Sequence, residues 1–232
     1  MKVIARRYGL IALPALALLL AGCGSSMQAR NVNVKQSLLV NPSILQKGTG
    51  EQALYRYVNP NADIGKYSKI LIAPVLIEKQ GQLNPEEREN YQKLANNAYV
   101  YLTKELEQDY QIVNSPEPGA MRIQMAIIDA DSAKSVRNIT SSILPIGMAI
   151  SLVQYTATGK PTGVGEITAE FKVTDATTGE LLGAALDRRV GGKNVQGAFD
   201  SWDGANSALK YWATRIRYVL CTRRGNGNCE KP

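Results

Sequence analysis

The clearest pattern of apolar and polar positions lies in "GEITAEFKVTDATTGELLGAALDRRV", residues 165–190. Ile167, Ala169, Phe171 and Val173 fall on one side, and Glu166, Thr168, Glu170 and Lys172 on the other. A period of two puts successive side chains on opposite faces of a strand, so this stretch predicts one. "DATTG" supplies a turn, and "ELLGAALDRR" predicts an antiparallel return. The polar side predicts a sheet covered on one face only. "MRIQMAIIDAD" alternates Met121, Ile123 and Met125 against Arg122 and Gln124, a further strand with one wet face. In "YSKILIAPVLIE" the run Ile70 to Ile77 is apolar and β-branched, and too short for a buried helix. It predicts a central strand. "YQIV" predicts a short strand and "SPEPG" a turn.

Two segments carry the helical period instead. "LNPEEREN" opens with Asn84 as N-cap, Pro85 at the first helical position and Glu87 three residues past the cap. Tyr91, Leu94, Ala95, Ala98, Leu102 and Leu106 then share one face, which predicts its burial. A closing helix starts near Asp200 or Ser201 and sets Trp202, Ala205, Leu209, Trp212, Ile216 and Val219 on its apolar stripe. The order of strand, helix, three or four strands and helix predicts an α/β (α+β) two-layer sandwich. Its sheet is mixed and partly antiparallel, with the helices on one face.

The first 22 residues stand apart. Lys2, Arg6 and Arg7 precede a short apolar run from Gly9 to Gly22, interrupted by Pro14. A membrane span needs roughly 20 apolar residues, and this run reads instead as a secretory signal peptide. Leu20-Ala21-Gly22-Cys23 resembles the lipobox of bacterial lipoproteins. That resemblance implies a diacylglyceryl group on the Cys23 sulfur, cleavage before Cys23, and acylation of its new amino group. Two or more chains make a stable anchor where one is marginal. Residue 24 is Gly rather than the Asp that commonly retains enterobacterial lipoproteins at the inner membrane. The resemblance therefore implies the periplasmic face of the outer membrane, with the bilayer a partner through acylated Cys23. Residues 23–36 follow as the lipidated cysteine and a flexible tether, 37–66 as an irregular arm along the surface, and 67–232 as a single α/β domain.

Composition narrows the chemistry. The chain has 232 residues, 27 of them Lys or Arg and 20 Asp or Glu. Subtracting the three leader cations leaves 24 against 20, an ordinary excess that makes no case for nucleic acid. There is no histidine, so a Ser-His-Asp or Cys-His catalytic constellation and a histidine-ligated metal are impossible. Besides Cys23, only Cys221 and Cys229 remain. In an oxidising periplasm such a pair reads first as a disulfide, helped by two Gly-Asn turns between them. Redox-active pairs usually stand two residues apart, which these do not.

The arm, "YSKILIAPVLI", the Thr-Gly turn between paired strands and the "SWDGANSALKYWA" helix together resemble a family of Gram-negative lipoproteins catalogued as a domain of unknown function. The topology is also similar to the periplasmic α/β modules of curli-secretion and penicillin-binding-protein-activator lipoproteins. Those are assembly and partner-binding proteins, and the resemblance lends no catalytic residues.

Candidate chemistry is sparse. "GKPTGVG" lacks the Gly and the Ser or Thr of a Walker loop, with Gln154 and Pro161 in their places. Asp129 and Asp131 fail the calcium-loop test, with Lys134 and Thr140 where Gly and Glu belong. Glu166 and Glu170, two pleats apart, stand roughly 13 Å from one another at Cα, too far for paired glycosidase carboxylates. They read as a polar outer face. Arg188-Arg189-Lys193 and Arg223-Arg224-Lys231 read as solvated charge. No cofactor and no metal are expected.

The expectation is a non-enzymatic envelope lipoprotein that binds another envelope component, through its wet sheet face or a loop. The alternatives are a cell-wall-acting enzyme using carboxylates alone and an oligomeric secretion or assembly factor. The partner is an unidentified envelope protein or a second copy. The apolar stretch Ile143 to Val153 is the candidate surface, through Ile143, Leu144, Ile146, Met148, Ile150, Leu152 and Val153. The competing reading makes it part of the core.

Overall fold

The computed structural model describes residues 26–29, 31–78, 83–131, 165–191, 202–225 and 227–232. Among these, nine strands form one open mixed sheet: β1 (Met27–Gln28), β2 (Gln46–Lys47), β3 (Tyr55–Val58), β4 (Lys69–Ile72), β5 (Leu76–Ile77), β6 (Gln111–Val113), β7 (Ala120–Asp131), β8 (Glu166–Asp175) and β9 (Leu181–Val190). The order is β2-β3-β9-β8-β7-β4-β6, with β1 beside β9 and β5 beside β7. β4 runs parallel to β6 and β7, and the β7-β8-β9 centre is antiparallel. Helices α1 (Pro85–Leu106) and α2 (Asp203–Arg223) complete the sandwich.

α1 follows from its cap. The Asn84 side chain accepts from Glu87 N at 2.9 Å, and Glu87 accepts from Asn84 N at 3.0 Å. This reciprocal pair satisfies two otherwise orphaned donors of the first turn. The six residues of the expected apolar stripe are the ones buried. α2 departs from its expected stripe. Ala205, Ala208, Leu209, Trp212, Ala213 and Leu220 are buried, whereas Val219 is exposed and Ile216 half-buried. At 3.6 residues per turn a seven-residue spacing drifts around the helix, and by the last turn Leu220 has taken Val219's place.

The predicted run Ile70 to Ile77 is two short strands. Pro74 carries no N–H for the ladder, and pairing stops between Ile72 and Leu76. The hairpin turn is as expected: Gly179 closes it at φ 75°.

Three departures concern the N-terminal side. The stretch expected to be a flexible tether is paired from Met27, which sits opposite Val190, with Gln28 opposite Arg189. The arm contains a strand that its sequence did not announce, since β3 pairs with β9 from Tyr55 opposite Leu186 to Val58 opposite Gly183. Third, the polar side of β8 is not wet. The arm lies over it, and a second apolar cluster of Val32, Leu45, Ile128, Ala184 and Leu186 forms between them. Glu170 has no exposed surface, and Glu166 and Thr168 are also buried. The second face is covered over Glu166, Thr168 and Glu170 of β8, and is partly exposed from Lys172 toward β4.

At one end the layers touch through backbone. A Cβ added to Gly191 would lie 2.4 Å from the Cα of Gly204, at the start of α2. Only glycine permits that approach.

Candidate functional site

The charges of β8 and β9 do most of the polar work of the fold. Glu170, under the arm, accepts from Ser37 Oγ at 2.6 Å and from the backbone N–H groups of Leu38 and Leu39 at 2.6 and 2.9 Å. A buried carboxylate is tolerable only with such donors around it. On the opposite face, Asp187 accepts from Gln28 Nε2 at 2.8 Å, Leu54 N at 3.2 Å and the Trp212 indole at 2.8 Å. One side chain thus joins β1, the arm and α2. Trp212 in turn packs edge-on against Phe171, with ring centroids 5.5 Å apart.

Arg189 is buried beside Asp187. It donates to Ser26 Oγ at 2.9 Å and to the Ser26 carbonyl, and its guanidinium stacks 3.5 Å from the Tyr211 ring centre. Burial lowers its pKa from the ordinary arginine value. Arg188 binds both oxygens of Glu166, at 2.8 and 2.7 Å. Arg223 donates to the carbonyls of Leu182, Asn59 and Ala62, and Arg224 lies over the Tyr110 ring. Arg188, Arg189, Arg223 and Arg224 are therefore structural rather than solvated, whereas Lys231 is exposed as expected and pairs with Glu51 at the surface. Lys193 lies outside the described residues.

Asp175 closes the hairpin. It accepts from Thr178 N, Thr177 Oγ and N, and the Tyr67 hydroxyl. The Thr178 backbone bond leads in holding its carboxyl well below the usual carboxylate range, while burial opposes it. Tyr67 is pushed up, first by burial and then by its bond to Asp175, so it stays a protonated donor.

These carboxylates do not converge. Glu170 pairs with Leu186 and Asp187 with Ala169, on adjacent rows of alternating side chains, so the two acids point to opposite faces of the sheet. Asp129 lies 3.3 Å from the Tyr91 hydroxyl, and among the described residues no group of acids or cysteines could hold a metal ion. Cys221 and Cys229 are joined as a disulfide with Cα atoms 5.7 Å apart, fastening the tail to the end of α2. Cys23 and the candidate surface Ile143–Val153 lie outside the described residues, as does nearly all of "GKPTGVG". Among the described residues no helix is long and apolar enough to cross a membrane.

Asp187, Arg189 and Arg223 as anchoring groups were not legible in the sequence. The one available signal was that charged residues interrupt an otherwise apolar returning strand.

Fold and site together define a class: an open α+β sandwich whose own buried charges clamp an N-terminal strand and arm. The chain belongs to the family described as "Protein of unknown function (DUF3313)", whose model matches residues 35–216. No curated protein matches it. Among solved structures it is similar to the PelC dodecamer from Paraburkholderia phytofirmans, at 13% identity and a TM-score of 0.38, over 71% of this chain and 94% of that one. A DUF4136 family protein from Bacteroides thetaiotaomicron has 14% identity and a TM-score of 0.38, over 71% and 95%. Lipoprotein GNA1162 from Neisseria meningitidis has 12% identity and a TM-score of 0.31, over 67% and 99%. At such scores the likeness lends nothing on activity.

Proposed function

We propose that this chain is a non-enzymatic envelope lipoprotein, held by acylated Cys23 at the periplasmic face of the outer membrane, where it binds another envelope component or a second copy of itself. The observation that carries this reading is the docking of β1. Ser26 is gripped by Arg189, and Met27 pairs with Val190, only a few residues beyond Cys23. Three residues reach at most about 10 Å, so an acylated Cys23 holds the Val190 end of the sheet close to the bilayer. In sequence the stretch 143–153 lies between Asp131 and Glu166, two residues paired with each other at that same end. The spending of Glu166, Glu170, Asp175 and Asp187 on structural hydrogen bonds supports a binding role over catalysis by carboxylates.

The test is Cys23→Ser in cells. The parent protein is expected to partition into detergent with membranes and to carry acyl mass on Cys23. The variant is expected to lose both. A parent protein with an unacylated N-terminus elsewhere overturns the anchor. For the partner surface, the pair Ile146→Asp and Ile150→Asp is expected to abolish association with an unchanged melting midpoint. Unfolding of that variant assigns the segment to the core instead.

A further inference from the structure

Between α2 and the β3-β9 edge lies a groove of about 440 Å³. Phe171, Val173 and Ala185 form its floor, and Ile216 and Val219 of α2 line its wall. Val219 is 38% exposed, so the wall presents an apolar side chain to the open groove. The volume is that of an ordinary small-molecule site.

The groove is cationic at its rim. Arg56, Arg215 and Arg223 line it, against Glu51 and Asp187. Glu51 is held by Lys231 at 2.8 Å, with Arg215 at 3.8 Å, and Asp187 is spent on Trp212, Gln28 and Leu54. Among the described residues neither Arg56 nor Arg223 has a carboxylate partner: Arg223 is held by the carbonyls of Leu182, Asn59 and Ala62, which do not neutralise its charge, and the nearby Arg56 repels it. Two unneutralised guanidinium groups at the lip of an apolar trough form half of a charge-complementary pair.

The backbone decides which anion fits. β9 is hydrogen-bonded on both sides, to β3 and β8, and α2 satisfies its own backbone. A peptide laid in the trough would find few partners for its N–H and C=O groups there, at a cost for each one buried. An alkyl chain has no such groups. We propose that this groove binds a long-chain fatty acid, with its alkyl chain against Phe171, Val173 and Val219 and its carboxylate on Arg56 and Arg223. This goes beyond the anchor and partner reading and does not depend on it.

The experiment uses the full chain in vesicles of phosphatidylethanolamine and phosphatidylglycerol, with palmitic acid carrying a terminal diazirine as the photoprobe. Labelling is expected to concentrate on peptides containing Ile216–Val219 and Val173, and to be competed by unlabelled palmitate. Arg56→Glu is expected to lower it about tenfold by removing one charge-assisted contact, with an unchanged melting midpoint. Val219→Asp, at an exposed position, is expected to lower it independently. Labelling without preference for these peptides, or unaffected by both variants, overturns the proposal. Stronger competition by a lysophospholipid or by an acidic peptide than by palmitate overturns the fatty-acid assignment.

Discussion

Glu170 and Lys172 stand two residues apart on one face of β8, yet Glu170 has no exposed surface and Lys172 is half-buried. The difference is the arm. Over Glu170 it supplies two N–H groups and a hydroxyl, together with the apolar cluster around Leu186; toward β4 the same face carries Lys69 and Arg122 with partial exposure. Alternation decides which face a side chain takes. What lies on that face is decided by chain far away in sequence, and a polar residue there is buried where donors arrive with the cover.

The sharpest break of this comparison is Glu170→Ala. It strips the acceptor from three donors and is expected to cost about 3 kcal/mol in chemical denaturation, with new proteolytic cutting between residues 31 and 45. Loss of stability without that cutting would mean that Glu170 holds the sheet rather than the arm. Reducing Cys221–Cys229 serves as a reference outside both halves. It closes a short loop at the tail and is expected to contribute about 2.5 kcal/mol, additive with Glu170→Ala.

Asp187→Asn asks whether the opposite face shares the clamp. An amide cannot accept from Gln28, Leu54 and Trp212 as the carboxylate does, so about 2 kcal/mol is expected, with a shift in Trp212 fluorescence. Asp175 gives the pH arm of the comparison. Its folded pKa is depressed, so its stabilisation is present above the ordinary aspartate value of about 3.9 and is lost as pH falls toward the folded value. Asp175→Asn is expected to flatten the acid limb of a stability-pH curve. Lys172→Ala, on the open half, is expected to change stability by about 0.5 kcal/mol or less. A larger loss there would show that the open half is covered after all.

The sequence is most readable where partners are local. The capping box at Asn84 and Glu87, the six-residue stripe of α1 and the hairpin around Gly179 each rest on neighbours within a few positions. β3 was missed because "YRYV" is too short to declare a strand without β9, which lies more than 120 residues on. The sequence pattern makes Glu170 part of a polar outer face and Arg189 a solvated charge, because it records polarity and not the donors and acceptors that meet it. Their partners Ser37 and Ser26 are 133 and 163 residues away.

Those separations set an order of events during folding. The arm and β1 are synthesised well before the residues that receive them, and Glu170 and Asp187 become available only once β8 and β9 have been made. Contacts that join such distant positions form late and slowly, because a long loop must close before they return any energy. The arm and β1 are thus made early and settle late. Until then the apolar side chains of this N-terminal side, Val32 and Leu45 among them, have no β8-β9 surface to cover.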